Sequence, residues 1–355
     1  MISAKSNLHK VYRYSEKEPS RLFHQRLDRN ERNQPFSEEF MENIKSKITG
    51  ELFMVYPEMD SVYETVAGWL KIDSSKLMLH SGSSETIKAV FETYISPGDH
   101  VLLHLPGYAM YDFYCKLFQA KIVSQYFDSE LHFDWEAFQE KVDSCTRMVV
   151  VESPNGFIGV APTLAVLERL IKKTKVMGSI ILVDEAYYHF HDETVASLID
   201  EYDNLIITRT FSKAFGIAGL RAGYLISQPE NIAYLRKVRP VYELTSMSAL
   251  VVTELINHFE EVEDYVLDTK RNLASFRQGL AALGIASSDS KANFLAARLG
   301  ESRVQDELRT VLRQQNILIR RPFREEALKE WVRIATAPPP VQQAIIHELR
   351  KILGK

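Results

Sequence analysis

The chain has 355 residues, 45% of them hydrophobic and 25% charged, with 43 Lys+Arg against 47 Asp+Glu for a formal charge of −4. These proportions exclude a disordered or fibrous chain, and the slight acidity argues against a nucleic-acid partner, which would show a basic excess or stripe. Only Cys115 and Cys145 are available for sulfur chemistry, and the ten histidines show no HExxH spacing, so neither a disulfide framework nor a catalytic metal is expected.

The N-terminal stretch MISAKSNLHKVYRYSEKE is too polar for a signal peptide. No apolar run reaches the roughly 18 residues of a membrane span. A cytoplasmic protein with no membrane partner is expected. Residues 1 to about 35 are polar and rich in Arg and Asn, and read as an arm that must dock on something to be ordered. From about residue 45 a regular alternation begins. Ile87, Val90, Phe91 and Tyr94 recur at helical spacing, and the Pro97-Gly98-Asp99 turn follows. HVLLHLP (100–106), RMVVVES (147–153), SIILVDEA (179–186), LIITRT (205–210) and AGYLIS (222–227) are short apolar runs of the buried-strand kind. An amphipathic helix carrying Leu164, Leu167, Leu170 and Ile171 lies between the second and third. β-Branched strands separated by helices predict an α/β fold, a mostly parallel central sheet covered by helices on both sides.

After Pro229 the pattern changes to long helical stretches around 246–283, short strands near 292–299 and 316–320, and a closing helix at 341–353. The expected division is a large domain over 46–240 and a smaller α+β domain. The smaller domain would combine residues 1–45 with 241–355.

Five stretches carry chemistry. TRTFSKAFGIAGLRAGY (208–224) follows a strand and sets Lys213 among hydroxyls and glycines, with Arg221 eight residues on. Functionally, such a lysine forms an imine with a carbonyl cofactor while hydroxyls and the arginine grip an anion. The bland alternative is a Gly-rich loop with a surface lysine. In VDEAYYHF (183–190), Asp184 ends a very apolar strand, where α/β sheets place ligands. A carboxylate there needs a cation. A protonated pyridine nitrogen would serve, with Tyr187 able to donate to a phenolic oxygen on the same ring; otherwise Asp184 caps the next turn. HSGSSETIKAV (80–90) runs Ser83 and Ser84 into a helix whose free N–H groups make a phosphate seat, unless the serines merely cap it. Tyr108 in LPGYAMYDFY (105–114) is placed to lie on a planar ring, although core packing would account for it too. Arg333, in the strand-like run WVRIATAPP, wants a carboxylate, from a ligand or from a structural salt bridge.

In this order the stretches resemble the class I/II aminotransferases, pyridoxal-phosphate enzymes of fold type I, with the nearest likeness to histidinol-phosphate aminotransferases. The likeness runs from LDRNERN (27–33) to VRIATAPP (332–339). It implies pyridoxal 5'-phosphate as cofactor and Lys213 as its covalent lysine. Asp184 would meet the pyridine nitrogen, Tyr187 the 3-oxygen and Tyr108 the ring face. Ser83, Ser84, Thr210, Ser212 and Arg221 would hold the phosphate. Arg333 would bind a substrate carboxylate, Asn30 would lie over the substrate, and Arg320 or Arg321 would meet a substrate phosphate. Tyr56 matches a tyrosine that the family borrows from the neighbouring subunit, which implies a homodimer with shared active sites.

One segment departs from the pattern. Where the family reads Asn-Pro-Thr-Gly, this chain reads SPNGFIG (153–159), so Gly156 takes the place of the asparagine that touches the 3-oxygen, and the adjacent Asn155 is the candidate substitute. The resemblance implies transamination between an amino acid, glutamate with 2-oxoglutarate, and a phosphorylated or polar amine. The alternatives are decarboxylation of a phosphorylated amino acid on the same cofactor, and a non-catalytic ligand-binding relative.

Overall fold

The fold is described from a computed structural model covering residues 2, 4–11 and 21–355. Residues 1, 3 and 12–20 of the expected N-terminal arm lie outside the described residues. Among the described residues eleven strands follow one another: β1 (Gln25–Leu27), β2 (Leu77–His80), β3 (His100–Leu105), β4 (Lys121–Tyr126), β5 (Thr146–Glu152), β6 (Ile180–Asp184), β7 (Leu205–Thr210), β8 (Gly223–Ser227), β9 (Phe294–Arg298), β10 (Ile317–Ile319) and β11 (Trp331–Ala335).

Seven strands form one sheet in the order β2-β8-β7-β6-β5-β3-β4. Successive side chains of its central strands point to opposite faces, and both faces are apolar. Val149, Val151, Ile181, Val183 and Ile207 join one core. Met148, Val150, Leu182 and Ile206 join the other. This double burial is why these segments read as unbroken hydrophobic runs instead of alternating ones. Helices Ser83–Tyr94 and Leu164–Val176 lie among those that cover the sheet. The latter starts at Thr163, whose hydroxyl accepts from the Val166 amide.

The strands from β7 to β4 run parallel, whereas β8 is antiparallel to both β7 and β2. The cause is local. A parallel neighbour needs a crossover, usually a helix, and residues 211–222 between β7 and β8 hold only the single helical turn Ala218–Leu220. Two strands of this sheet escape the sequence pattern: β2 is four residues long, and β4 is an edge strand with partly exposed side chains and no apolar run.

The C-terminal third adds an antiparallel β9–β11 pair, with Arg333 opposite Ala296, and β10, which pairs in parallel with β1 from the N-terminal arm. Residues 25–27 are thereby tied to the C-terminal part. The long helical stretches expected around 246–283 are two helices, Ser246–Asn257 and Glu260–Ala282, separated where His258 leaves helical geometry at φ −118, ψ 54. Among the described residues no helix is long and apolar enough to cross a membrane.

Candidate active site

Because β3, β5, β6 and β7 are parallel, their C-terminal ends share one edge of the sheet. A cavity of about 570 Å³ opens there. Twelve of the residues singled out in the sequence line it: Asn30, Ser83, Ser84, Tyr108, Asp184, Tyr187, Thr210, Ser212, Lys213, Arg221, Arg320 and Arg333.

One end is rich in donors. The helix Ser83–Tyr94 has Gly82 as its N-cap, with no side-chain capping bond, so neither serine acts as the cap. The Glu85 carboxylate instead reaches back to accept from the Ser81 amide at 2.7 Å. The first-turn N–H groups and the positive end of the helix dipole thus face the cavity. Gly82 is required here: its φ is +81, and a Cβ would come 2.5 Å from Arg221 Nη2. Arg221 itself holds φ +52, a conformation unusual for a side-chain-bearing residue. It donates to the Ala218 carbonyl at 3.2 Å. Thr210 at the end of β7 and Ser212 just beyond complete this end, tied by the Ser212 amide donating to Thr210 Oγ1 at 3.1 Å.

The floor is acidic. Asp184 is buried at the end of β6 and accepts from the Tyr111 hydroxyl at 2.6 Å. It also accepts from the Ala186 amide at 3.0 Å, so it caps its turn while presenting charge to the cavity. Burial pushes its carboxyl up to about 6, although the Tyr111 bond pulls the other way. Its neighbour in register on β5 is Glu152, also buried. The Glu152 oxygens accept from the Tyr108 amide at 2.6 Å and the Gly156 amide at 2.7 Å. Burial, and then the proximity of Asp184, push this carboxyl up to about 8.

Lys213 is half-buried. Its Nζ donates to the Arg29 carbonyl at 3.0 Å and lies 5.5 Å from the Tyr187 ring centroid. The Tyr187 hydroxyl accepts from Asn30 Nδ2 at 2.9 Å, which leaves its own proton free to donate elsewhere. Asn30 Oδ1 is buried with no partner among the described residues. Tyr108 spans the cavity wall, its backbone on Glu152 and its hydroxyl 2.9 Å from Ser84 Oγ.

The opposite end is cationic. Arg333 is buried and donates to the carbonyls of Gly156 (2.7 Å) and Asp28 (2.8 Å). Among the described residues it has no carboxylate partner, and its Nε is unpaired. Burial, with Arg320 nearby, lowers its pKa to about 9. A structural salt bridge is therefore not what holds this arginine. Arg320 packs over the Phe157 ring at 5.0 Å and lines the cavity, whereas Arg321 does not.

Three further residues stand apart from the cavity lining. Besides Arg321 these are Asn155 and Tyr56. Asn155 is engaged at both ends of its amide: Oδ1 accepts from the Phe157 and Ile158 amides of its own turn at 2.9 and 2.8 Å, and Nδ2 donates to the Pro106 carbonyl at 2.9 Å. Held in this way outside the cavity lining, it does not substitute at position 156. Tyr56 is 72% exposed and stacks on Tyr242 with ring centroids 4.2 Å apart.

Sequence reasoning passed over Tyr111 and Glu152. A signal existed for each. Glu152 ends an apolar strand just as Asp184 does, and Tyr111 lies three residues after Tyr108, in the first turn of the helix that Tyr108 precedes.

The family profile "Aminotransferase class I and II" matches residues 26–346. The chain is similar to the histidinol-phosphate aminotransferase of Caldanaerobacter subterraneus, 29% identical over 334 residues that span 93% of each protein. In fold it is similar to the histidinol-phosphate aminotransferase of Sinorhizobium meliloti, a structure in complex with pyridoxal-5'-phosphate, with a TM-score of 0.82 at 19% identity over 93% of this chain and 90% of that one. It is also similar in fold to the L-threonine-O-3-phosphate decarboxylase of Porphyromonas gingivalis, with a TM-score of 0.80 at 20% identity over 93% and 99% of the two chains.

The donor set fits pyridoxal phosphate. A dianion has the hydroxyls, helix start and guanidinium around Arg221; a ring cation has the buried Asp184; an aldehyde has the Lys213 amine. The orphaned Asn30 Oδ1 and Arg333 Nε remain for a ligand.

Proposed function

Because the chain belongs to the class I and II aminotransferases, we propose that it exchanges an amino group between glutamate, with 2-oxoglutarate as its keto form, and a phosphorylated or strongly polar amine of the histidinol-phosphate kind. The observation that carries this proposal is the presence in one cavity of the Lys213 amine, the buried Asp184 carboxylate and the Arg221 anion seat, with Arg333 left without an acidic partner.

Pyridoxal phosphate, when bound, supplies an aldehyde for covalent attachment and an electron sink beside the reacting carbon. The residues divide the remaining work. Ser83, Ser84, Thr210, Ser212 and Arg221 hold the phosphate. Asp184 keeps a proton on the ring nitrogen, and Tyr111 positions Asp184. Tyr108 lies on the ring, and Tyr187, oriented by Asn30, donates to the 3-oxygen. Lys213 holds the cofactor, and once released its amine moves the proton at the substrate carbon as general base and then acid. Arg333 binds the substrate carboxylate in a fork, and Arg320 offers a second cation to a distal anionic group.

A homodimer completes the arrangement, with Tyr56 reaching the neighbouring site. Supporting it, Phe53, Met54, Val55 and Tyr56 are 62–77% exposed as a contiguous apolar surface, continued by Val241 and Tyr242.

The test is purified protein supplied with pyridoxal phosphate, glutamate and a panel of phosphorylated amines and keto acids, with 2-oxoglutarate and carbon dioxide both measured. Keto acid without carbon dioxide is expected. Carbon dioxide from a phosphorylated amino acid would select the decarboxylase, and turnover retained by Lys213→Ala would overturn the assignment of Lys213.

A further inference from the structure

We infer that the Glu152 carboxyl group is the acid–base group beside the 3-oxygen of bound pyridoxal phosphate, occupying the space that a side chain at position 156 would need. This rests on the cofactor orientation proposed above and adds a group that the orientation does not itself require.

Three observations converge. The first is space. A Cβ built on Gly156 would lie 2.9 Å from Glu152 Oε2 and 3.6 Å from Tyr187 Cε2. The carboxyl group therefore fills the side-chain volume of residue 156, against the ring of Tyr187. Gly156 and Glu152 fit together as a pair: one surrenders its side chain and the other fills the gap.

The second is order along the sheet edge. In the sequence β2-β8-β7-β6-β5, the anion seat sits at the ends of β2, β8 and β7, Asp184 ends β6, and Glu152 ends β5. Adjacent strands stand about 4.8 Å apart. In pyridoxal phosphate the phosphate arm and the 3-oxygen flank the aldehyde-bearing carbon on opposite sides. With the arm at the seat and the nitrogen at Asp184, the 3-oxygen falls on the β5 side, towards Glu152.

The third is hydrogen-bonding capacity. Each Glu152 oxygen accepts one backbone N–H, from Tyr108 and from Gly156. These two bonds fix the carboxyl plane without neutralising it, and a protonated oxygen can still donate while accepting. The charged and titratable groups facing it are Asp184 on β6, Arg333 on β11, His104 on β3, and Tyr108 and Tyr111 beyond β3. His104 is held neutral by burial, with its pKa lowered to about 3, and its Nε2 accepts from the Glu152 amide at 2.8 Å. Burial and Asp184 favour the protonated acid at neutral pH, with Glu152 pushed up to about 8. A neutral acid donates to the 3-oxygen as an amide would; once ionised, it repels negative charge there. An asparagine cannot make that switch.

The experiment is a pH titration of the visible absorption of the cofactor-loaded protein, wild type against Glu152→Gln. Proton loss from the lysine–cofactor linkage and from Glu152 is coupled: a proton held on the linkage favours ionised Glu152, whose charge in turn favours that proton, so the glutamine variant, which cannot ionise, should titrate about tenfold lower, roughly one pH unit. A midpoint within about 0.2 units of wild type would make Glu152 a loop staple only and overturn the inference. A wild-type protein with no visible band would instead overturn the cofactor orientation on which it rests. Thermal unfolding of the cofactor-free protein gives a second readout. Gly156→Asn should destabilise the wild-type background more than it destabilises Glu152→Ala, because the second background vacates the contested volume. An equal loss in both would refute the shared space.

Discussion

Arg333→Met separates function from stability. The guanidinium is buried, and its pKa falls from 12.5 to about 9. At neutral pH that fall corresponds to about 5 kcal/mol of unfavourable burial. Methionine removes the charge but leaves the Gly156 and Asp28 carbonyls without their donors, at about 1–3 kcal/mol each. The opposing effects nearly cancel, so the cofactor-free variant should be about as stable as wild type, within roughly 3 kcal/mol and with a slight gain at the midpoint of the ranges. Substrate binding should not be spared. Removing one side of a buried, hydrogen-bonded charge pair costs about 2–5 kcal/mol, or about thirty- to several-thousand-fold in kcat/KM for a carboxylate-bearing amino donor. Urea unfolding of the cofactor-free variant and steady-state kinetics with glutamate measure the two halves. A variant that loses more than about 4 kcal/mol while keeping its KM within threefold would show that Arg333 is structural and refute the assignment.

Tyr111→Phe removes the hydroxyl that bonds Asp184 at 2.6 Å. The Asp184 pKa should rise further, and kcat should fall about tenfold with the acid limb of the pH profile moved upward; an unmoved limb would exclude a positioning role. The cofactor-free protein should lose stability as the pH rises. Glu152 and Asp184 have folded pKa values of about 8 and about 6, above their ordinary 4.5 and 3.8. The folded state therefore binds their protons more tightly. The resulting stability is complete below about pH 4 and is lost as the pH climbs through 6 and then 8, at up to about 1.4 kcal/mol per unit for each group. Glu152→Gln should flatten the upper part of this curve in urea unfolding at successive pH values, and an unchanged slope would contradict the linkage. If the sites are shared as proposed, Tyr56→Ala and Lys213→Ala should each be inactive alone and, unfolded and refolded together, should recover up to about a quarter of wild-type activity through mixed dimers. No recovery would place Tyr56 in its own subunit's site or in neither.

Much of this arrangement could be read from residues whose chemistry conflicts with their surroundings. Asp184 closing an apolar strand and Lys213 among glycines are costly choices for a core, and the structure puts both against one cavity. Parallel strands betray themselves in the same way, because double burial removes the polar alternation that a half-exposed strand keeps. Two kinds of information were hidden. Edge elements such as β4 keep polar residues and so resemble loops. Relationships across the sheet were hidden as well: that Glu152 lies beside Asp184 depends on the register of β5 against β6, and that Arg320 rather than Arg321 lines the cavity depends on which way the segment after β10 turns. Asn155 shows the reverse case. Its residue type suited a ring contact, yet its own turn engages one end of its amide and the Pro106 carbonyl the other.

The electrostatics of the cavity describe charged groups that burial penalises. Two carboxyl groups on adjacent strands are both pushed towards protonation, and the arginine that faces Glu152 is pushed towards neutrality. If Arg333 merely balanced Glu152 and Asp184, the acids would be drawn down and the arginine up; all three move the other way because burial outweighs their mutual attraction. Arg333 spends its hydrogen bonds on the carbonyls of Gly156 and Asp28 and keeps its charge uncompensated. A ligand bringing a ring cation to Asp184 and a carboxylate to Arg333 would relieve both penalties at once. Binding and folding are thereby linked, and cofactor and substrate together should raise the unfolding temperature more than either alone.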